Sequence, residues 1–526
     1  MTTVAKPTRQ VRRAQTRQSP ETKNQRLTET ILTHGTAQAA EAAQAKAITQ
    51  GHLTDAEVLA WREDLQTRLR LIEQEPEKNL GYVEEEIAKT TRDIQRLAAQ
   101  RSAQAKANAT PCLCLQCQRE LTDQRYLRRG IDSRFGHFVI WRRYGWCAKC
   151  QAWQFPADHA LGLASKAAAS PYVQELAALL VTKMPPEQAV AVAQRLGLDL
   201  SRCLLDREAH RQGLKAQDHR SQTVAQLDTW ESIQRWAAQA EGPPTQPFTL
   251  VVQIDAWNIR ERDDWGQTKT LRQQGQKVER WHWVYMGTVF RLNQRGQTAG
   301  QRAVVTERGF VATRLGLEAL VAQLYREALQ RGLGQAQHVL VIADGAIWIW
   351  NLVKDRFPDA RQQLDLWHAE EHLWAVAHDL YGCSTPEARA WVQPLVQQVR
   401  ADQTPEMIQN LTQLLPQLDK LLQEKVQKQI DYFANNADRM KYKEILDARQ
   451  AVEDGKATPA QIQLANQPLG SGAIESTCRQ YQCRFKRTGQ FWTIAGDEAL
   501  MCLETYWRNG RWHQLYPHAK SVAALN

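Results

Sequence analysis

Residues 339–343 form a continuous apolar run that ends in an acid, Asp344, and a glycine, Gly345. A short apolar run of this kind is typical of a central strand that is buried on both faces. An Asp at the end of such a strand is costly to bury for packing alone, so it is usually paired or bound to a cation. Because a helical pattern follows over residues 346–354, the alternative is that Asp344 only caps that helix.

The same pattern occurs earlier in the chain, where residues 248–254 run into Asp255. Two strands that each end in one acid can bring the two carboxylates side by side. Like charges held this close are unfavourable unless a divalent cation lies between them. We therefore predict a carboxylate site for Mg²⁺ or Mn²⁺ that includes Asp255 and Asp344.

Length and charge narrow the class of protein. A chain of 526 residues exceeds the size at which a single core stops growing, so we expect several domains. Lys and Arg number 67 against 57 Asp and Glu, and the net charge of +10 fits a polyanionic partner without proving one. The sequence has neither an apolar run long enough for a membrane span nor an apolar N-terminal segment, so we expect a cytoplasmic protein.

The N-terminal region is predicted to contain an arm and a helical hairpin. Residues 1–50 are rich in Gln, Ala and Thr and mostly basic in charge, which is typical of a disordered arm that contacts phosphates or is simply solvated. The sequence from Thr54 to Glu57 is a capping box. Residues 51–110 are therefore predicted to form a helical hairpin or short coiled coil, which either dimerises or packs within the chain.

Two Cys-x-x-Cys pairs, Cys114 with Cys117 and Cys147 with Cys150, stand out among the ten cysteines. The pairs bracket β-prone segments, as in a zinc ribbon (residues 111–156), and four thiolates suit a structural Zn²⁺ with no open coordination position. The separation of the pairs is longer than usual, Cys112 is a spare that could replace Cys114, and a redox role is the alternative. The same module carries arginines predicted to face phosphates: Arg119, Arg125, Arg128, Arg129, Arg134, Arg142 and Arg143.

Residues 157–242 are predicted to form a helical, helix-turn-helix-like domain. Pro171 and Pro186 each open a helix, residues 197–199 form a tight turn, and the third helix would read DNA. Small three-helix units are common, so packing alone is the alternative. A linker follows at residues 242–247. The basic residues predicted to face DNA from the third helix are Arg202, Arg207, His210 and Arg211.

Beyond the linker, the pattern predicts these elements: strands 248–257, 281–291 and 301–307, helix 315–331, strand 338–343, helix 346–356, strand 361–367 and helix 368–380. Three antiparallel strands followed by alternating helices and strands is the order of a ribonuclease H-like core with a mixed sheet. In that core the first and fourth strands lie adjacent and parallel, which brings Asp255 and Asp344 to one end. The predicted fold class is therefore multidomain α/β plus α, with this core (248–380) preceded by the zinc ribbon and the helix-turn-helix-like unit.

Residues 381–467 are helical and polar, and they are predicted to be an insertion that residues 468–526 follow to complete the core. There, Ser471 is predicted to N-cap a helix with Glu475 in its first turn. The helix dipole favours an ionised carboxylate at that position by roughly 0.3–1 kcal/mol. Arg479, Lys486 and Arg487 follow, which suits a site for metal and phosphate. The alternative is an ordinary i,i+4 pair of Glu475 with Arg479.

Together these motifs resemble the bacterial insertion-sequence transposases of the ISKra group. That group belongs with the DDE transposases, and a Mutator-like branch shares its Asp-x-x-His feature. The resemblance covers roughly residues 110–515. The motifs that carry it are Ile254-Asp255, Ala343-Asp344-Gly345-Ala346-x-Trp348, Leu364-Asp365-x-Trp367-His368 and Gly470-Ser471-Gly472-x-Ile474-Glu475-Ser476.

The resemblance implies a catalytic triad of Asp255, Asp344 and Glu475 that holds two Mg²⁺ or Mn²⁺ ions, with Asp365 and His368 in support. The implied activity is cleavage of DNA at the element's terminal inverted repeats and joining of the 3′-ends to target DNA. It would be performed by a homo-oligomer associated with the bacterial nucleoid, with no membrane or small-molecule partner. Alternatives are an inactive relative that only binds DNA and a nuclease without strand transfer. The expected DNA contacts are Arg202, Arg207, Arg211, Arg479, Lys486 and Arg487.

Residues 368–372 also fit the His-x-x-Glu-His motif of inverted zinc proteases. His368 and His372 would need a third zinc ligand, and the sequence supplies none clearly nearby. As a further alternative, Asp365 and His368 form a satisfied buried polar pair.

Overall fold

A computed structural model describes residues 54–74, 77–165, 167–227, 229–240, 246–262, 266–278, 280–297 and 303–517. The predicted basic arm and most of the predicted linker lie outside these residues. The chain divides into two compact units. Unit 1 comprises residues up to Ala177 with Pro186–Glu208, and unit 2 comprises Ala178–Pro185 with Ala209 onwards. None of the described helices has the length and apolar composition that a membrane-spanning segment requires.

Unit 1 begins with two helices, α1 (Asp55–Glu73) and α2 (Leu80–Ala109). The predicted capping box is present: the Thr54 side chain accepts from the backbone of Glu57, and the Glu57 side chain accepts from the backbone of Thr54. Glu57 also forms an ion pair with Arg101 of α2. The helix start and the pairing of the two helices thus follow from local sequence.

A three-stranded antiparallel sheet follows, with strands β1 (Thr122–Ser133), β2 (Gly136–Cys147) and β3 (Ala152–Gln154) in that order. Ile131, Phe138 and Ile140 bury their side chains with Ala107 of α2. The helices beyond the sheet are α3 (Pro156–Ala160), α4 (Pro171–Lys183), α5 (Pro186–Arg195) and α6 (Arg202–Ala225). The last of these has 24 residues, which is longer than the short third helix that the sequence predicts.

Unit 2 contains a five-stranded mixed sheet in the order β10-β9-β4-β5-β8. β4 pairs antiparallel with β5 and parallel with β9, which confirms the predicted adjacency of the first and fourth strands. β6 and β7 form a separate two-stranded hairpin. The strands are β4 (Thr249–Glu261), β5 (Arg280–Arg291), β6 (Arg295–Gln297), β7 (Ala303–Val305), β8 (Gly309–Thr313), β9 (His338–Ala343) and β10 (Arg361–Leu364).

A strand forms within the predicted segment 301–307, as β7, but the prediction that it is the third strand of the large sheet is wrong. The third strand of the large sheet is β8, whose five residues are all buried, whereas β7 pairs only with β6. The polar residues Thr306 and Glu307 would be costly to bury in a sheet without partners. The apolar segment that follows them, β8, therefore forms the third strand of the large sheet. The predicted strand 361–367 also ends early, at Leu364, because Asp365 caps the next helix.

Helices cover both faces of this sheet, so that the described chain is mixed α/β and mostly helical. Apolar residues of β4 and β9 pack in one cluster with Leu373, Val396 and Phe433, and the last two of these belong to the predicted insertion. The insertion is therefore part of the core of unit 2. The helices of unit 2 beyond α6 are α7 (Trp230–Ala238), α8 (Thr268–Gln273), α9 (Leu317–Gln330), α10 (Ile347–Arg356), α11 (Leu366–Tyr381), α12 (Pro386–Arg400), α13 (Thr404–Leu414), α14 (Lys420–Asn436), α15 (Lys443–Glu453), α16 (Pro459–Ala465), α17 (Gly472–Phe485), α18 (Ile494–Arg508) and α19 (Trp512–Leu515).

Candidate functional site

Asp255 and Asp344 lie at the same level on adjacent parallel strands. The pairing of β4 with β9 ends with Gln253 opposite Ile342. Asp255 and Asp344 continue this register, because their offset is the same (344 − 255 = 89 and 342 − 253 = 89). Neighbouring strands lie about 4.8 Å apart, so the two side chains project next to each other on one face.

The prediction that the strand of Asp255 ends near this residue is wrong. β4 continues to Glu261, and β5 pairs with it along that whole length. Trp257 and Ile259 are buried beyond the acid, which keeps the strand in place. Asp255 therefore lies in the interior of a strand, whereas Asp344 directly follows the end of one.

The surroundings of Asp255 are unfavourable for its charge. Burial raises the pKa of this carboxyl, and the negative charge of Asp344 raises it further. The backbone N–H of Ala256, which donates to Asp255 Oδ1 at 2.6 Å, opposes this shift in pKa, and so does His368. The site is thus one where a cation would stabilise the fully ionised pair.

Gln253 fixes the start of α17 beside these acids. Its side-chain nitrogen donates to the carbonyl of Gly470 at 3.1 Å, and its side-chain oxygen accepts from the backbone N–H of Ile474 at 3.0 Å. Gln253 is 1% exposed, so both bonds lie in a buried environment where losing either would leave a polar group unpaired. This clamp joins β4 to the first turn of α17, which carries Glu475.

Glu475 makes the local contact that the sequence left as an alternative. Its carboxylate lies 3.6 Å from Arg479 Nη2, in a pair whose side chains are 37% and 80% exposed. A surface pair of this kind contributes little, with a median near 0–1 kcal/mol, so it does not fix Glu475 strongly. Ser471 Oγ lies 3.4 Å from the same carboxylate.

A thiol lies close to both Asp255 and Glu475. The pKa of Cys478 is raised far above its usual range, first by burial, then by Asp255 and also by Glu475. Its sulfur lies 3.7 Å from the Met286 sulfur on β5. Among the described residues, only the four cysteines of unit 1 form a group with metal-ligand spacing, so Asp255, Asp344 and Glu475 do not reach that spacing.

Asp365 holds two segments together. Its Oδ1 accepts from the backbone N–H groups of Trp367 and His368, at 2.7 and 3.2 Å, and so caps α11. Its Oδ2 accepts from both the backbone N–H and the hydroxyl of Ser471, each at 2.5 Å. Ser471 is the N-cap residue of α17, with Glu475 in the first turn, as predicted, but its hydroxyl donates to Asp365 and makes no cap hydrogen bond.

His368 and His372 have different partners. His368 Nδ1 lies 3.2 Å from a Glu371 carboxylate oxygen, and its ring is not paired with the Asp365 side chain in the described structure. His372 Nδ1 lies 2.6 Å from Gln429 Oε1, and burial lowers the pKa of this imidazole. No group with metal-ligand spacing includes either histidine among the described residues, so the zinc-protease alternative gains no support.

The insertion reaches the site through Tyr432 of α14. Its ring stacks on His372 with centroids 3.7 Å apart, and its hydroxyl donates to the Asp344 carbonyl at 2.8 Å. Gly345 adopts φ 93°, and a Cβ there would lie 2.8 Å from both Leu364 and Tyr432. A glycine is therefore required next to Asp344 for the chain to leave β9 beneath this tyrosine.

The predicted cysteines come together in unit 1. The ligand atoms of Cys114, Cys117, Cys147 and Cys150 all lie within 4.8 Å of one another. The Cys114–Cys150 and Cys117–Cys147 sulfurs are 3.8 and 3.5 Å apart. A tetrahedron with Zn–S bonds of about 2.3 Å has edges of about 3.8 Å, and a disulfide would need about 2.05 Å. This cluster can hold a structural metal, and Cys112 is not part of it.

Two of the arginines predicted to face phosphates have structural partners instead. Arg142 is 4% exposed, and its Nε donates to Asp158 at 2.5 Å. Arg129 donates to the carbonyls of Ala164 and Ala167. The prediction is wrong for these two residues, because Asp158 in α3 and the carbonyls of the segment after α3 need donors.

Three expected DNA contacts of α6 lie in different surroundings. Arg202 is exposed and pairs with Glu187 at 3.0 Å. Arg207 is exposed, and Arg211 is half-buried. The half of α6 that belongs to unit 2 is a packing element: Gly213 lies against Ala499 of α18. The expected contacts of the C-terminal segment, Arg479, Lys486 and Arg487, are exposed.

Sequence reasoning missed Gln253, Tyr432 and Cys478. A lone Gln inside the apolar run 248–254 was the available hint, since a buried amide needs partners. Tyr432 and Cys478 lie in helices whose pattern gives no sign of the site. Comparison with models of protein families found no match to this chain, and comparison with curated proteins found none either.

Proposed function

We propose that this protein is a DDE transposase with a ribonuclease H-like core, which cleaves the ends of an insertion sequence and joins them to target DNA. One observation carries the proposal: Asp255 and Asp344 occupy one level of adjacent parallel strands, beside the helix of Glu475. The strand order β10-β9-β4-β5-β8 supports it, as do the sequence motifs around the three acids.

The donor set fits divalent cations. Burial and Asp344 both raise the pKa of Asp255, and a cation between the two acids would relieve this penalty. Asp255, Asp344 and Glu475 would hold two Mg²⁺ or Mn²⁺ ions, which prefer carboxylate oxygens. When bound, such ions lower the pKa of an attacking water or 3′-hydroxyl and stabilise the leaving 3′-oxygen.

The other residues of the site position these acids. Gln253 holds the start of α17 on β4, Asp365 ties Ser471 to α11, and Tyr432 holds the carbonyl of Asp344. Arg479 pairs only weakly with Glu475 at the surface, so a cation on Glu475 would release its guanidinium for a DNA phosphate.

We also propose that Cys114, Cys117, Cys147 and Cys150 hold a structural Zn²⁺. The spacing of their sulfurs supports this, because it matches the edge of a zinc–thiolate tetrahedron. All four positions would be filled by protein, so the ion would stabilise the ribbon and take no part in strand cleavage. The exposed arginines of α6 and of the ribbon would then contact the DNA backbone.

The test is cleavage and joining of a duplex that carries the inverted repeats flanking the gene, with Mg²⁺ present. Asp344→Asn keeps the size of the side chain but removes a ligand charge, so both reactions should fall by orders of magnitude while DNA binding survives. Asp255→Asn and Glu475→Gln should behave alike. The matched controls Asp359→Asn and Glu307→Gln change exposed acids and should stay within a few-fold of wild type.

Two outcomes would contradict the proposal. If Asp344→Asn cuts and joins at close to the wild-type rate, the assignment of the catalytic acids is wrong. If the wild-type protein cuts DNA but never joins the 3′-ends, it is a nuclease with the same site chemistry and not a transposase.

A further inference from the structure

The hairpin of β4 and β5 extends beyond the rest of the sheet. β9 stops pairing with β4 at Gln253, and β8 stops pairing with β5 at Tyr285. Past those points the two strands pair mainly with each other, to Glu261 opposite Arg280. This extension starts next to Asp255. One of its faces is buried, with Trp257, Ile259 and Val284, whereas the other face is partly exposed.

Two large aromatic side chains are exposed on this extension. Trp281 is 53% exposed and Trp283 is 51% exposed. They alternate by two along β5, so they lie on one face, roughly 7 Å apart. Two neighbouring indoles that are half exposed leave apolar surface in contact with water, which packing would normally bury. Exposed apolar surfaces of this kind mark binding sites.

Cations lie over the same aromatic rings. Arg260, the cross-strand partner of Trp281, places its guanidinium carbon 5.2 Å from the centre of that ring and 4.8 Å from the Phe491 ring. Lys486 places its ammonium 5.9 Å from the Trp281 ring, and its side chain is exposed. We call Arg260, Trp281, Trp283, Lys486 and Phe491 the aromatic–basic ridge.

We propose that the aromatic–basic ridge binds an unpaired DNA strand, whose bases stack on Trp281 and Trp283 while Arg260 and Lys486 face its phosphates. Flat indole faces beside cations are what surfaces for single strands share. A duplex hides the faces of its bases within its own stack, and an acidic protein would need the cations but not the indoles. The ridge therefore favours unpaired bases.

This inference rests on the proposed function for the choice of DNA as ligand, and it assigns the path of one strand. Asn258, opposite Trp283, lies three residues beyond Asp255, or about 10 Å along β4. Asp255 is opposite Met286, so its side chain lies on the other face of the sheet from the ridge. A strand with its scissile phosphate at the carboxylates would need to cross that distance and pass around the edge of β4 that β9 leaves unpaired beyond Gln253. The unpaired nucleotides next to the cut are thus the predicted occupants.

Binding of a fluorescent oligothymidylate of about 16 nucleotides, the upper end of site sizes for single-strand folds, tests the ridge in the full-length protein without added Mg²⁺. Each lost stack should weaken binding about 5- to 150-fold, so Trp281→Ala with Trp283→Ala should weaken it at least about 25-fold. Trp281→Phe should retain most of the affinity, because phenylalanine still stacks. Lys486→Ala should lower the salt slope by about 0.7.

Trp230→Ala is the matched control, since Trp230 is 69% exposed on α7 and is not part of the ridge. It should leave binding unchanged, and thermal unfolding should be the same for every variant. Equal losses on the oligothymidylate and on a duplex, or no loss in the double variant, would overturn the inference. If the double variant loses binding of the oligothymidylate but cleaves duplex DNA at the wild-type rate, only the path assigned to the cleaved strand would be wrong. If the protein binds the oligothymidylate through the ridge but cleaves no DNA, the inference about the ridge stands and the proposed function is wrong.

Discussion

The cysteine cluster of unit 1 brings all four of its candidate metal ligands together, whereas the three acids that we propose as metal ligands in unit 2 are not all brought together. The four sulfurs lie within 4.8 Å of one another, whereas Asp255, Asp344 and Glu475 do not reach that spacing. Each cysteine pair spans a few residues of one turn, so local geometry brings its two sulfurs together. The acids come from two strands and a distant helix.

The protonation chemistry of the ligands explains the rest of the difference. Neighbouring thiols can share protons, with one ionised and the next protonated: the backbone N–H of Cys117 lowers the pKa of Cys114 to about 6, and the hydrogen bond to Cys117 raises that of Cys150 to about 12. Ionised carboxylates repel one another. Thiols that share protons can therefore lie in contact with one another, whereas adjacent ionised carboxylates need a positive charge between them.

The largest expected effect is on the cysteine cluster. Cys114→Ser should abolish zinc binding and unfold residues 111–156, because structural zinc contributes on the order of 10 kcal/mol to small domains. Metal analysis and limited proteolysis of the purified, reduced protein measure both effects. Cys383→Ser changes an exposed cysteine and should leave the metal content as it is. If the purified wild-type protein contains no zinc, the cysteine cluster is not a metal site and its comparison with the carboxylate site no longer holds.

A smaller effect is expected at the clamp of the carboxylate site. Gln253→Met keeps the length of the side chain but leaves Gly470 and Ile474 with unpaired backbone groups, at about 1–3 kcal/mol each. Urea unfolding should show this loss, and cleavage should fall because Glu475 is no longer held beside Asp255.

Gln363→Met is the matched control for that variant. Gln363 is also buried, but its amide donates only to Pro468, which lies farther from Glu475. It should reduce the free energy of unfolding while cleavage by the folded protein changes little. If both variants lose cleavage equally, the clamp has no specific role in positioning Glu475.

A second pair of acids in unit 2, Glu261 and Asp497, extends the comparison, because an arginine and a retained proton reduce the repulsion between them. Glu261 is held by Arg314, while burial and then the charge of Glu261 raise the pKa of Asp497 to about 9. Between the ordinary value of 3.8 and about 9, the unfolded chain loses this proton while the folded protein keeps it. Stability from this group is therefore full below pH 3.8 and is lost as the pH rises.

The variant Asp497→Asn has no ionisable group at this position, so its free energy of unfolding should depend less on pH than that of the wild type. The free energy of unfolding of the wild type should fall between pH 5 and pH 8 by a few kcal/mol more than that of the variant. Urea unfolding at both values measures the difference. Identical slopes would mean that Asp497 is ionised in the folded protein and relies on Arg314, which lies 3.8 Å away.

The smallest effect is expected from Tyr432→Phe, which removes the hydrogen bond to the Asp344 carbonyl. The loss should be about 0.5–1.5 kcal/mol in the free energy of unfolding, with a few-fold reduction in cleavage and no change in metal bound by the cysteines. Tyr381→Phe, at a residue that is 41% exposed, should change neither. A larger loss of cleavage than for Asp344→Asn would place the essential group on the insertion.

Sequence alone predicted those parts of the fold that local patterns determine. The bounds of β9 were correct because polar Gln337 and Asp344 flank a run that must be buried. The cysteine cluster was correct because its spacing is local. The extent of β4 was not visible, since Trp257 and Ile259 continue the strand only because β5 pairs there.

The parts that failed depend on partners far away in the sequence. Gln253 bonds to residues 217 and 221 positions later, and Tyr432 bonds to a carbonyl 88 positions earlier. The length of α6 was missed because its polar surface gives no apolar stripe, although Gly213 packs directly on Ala499. No local periodicity reports such contacts, and only their positions in the folded chain reveal them.

The clamp between Gln253 and Ile474 also sets when the three acids can come together during synthesis of the chain. A ribosome that adds about 5–20 residues per second needs about 10–45 s to travel the 221 residues between them. From Asp344 onwards in that interval, the nascent chain has two of the three acids but lacks the third. If the three acids cut DNA as proposed, a chain whose translation stops early would lack the third acid, and cutting would begin only after the ribosome has passed Glu475.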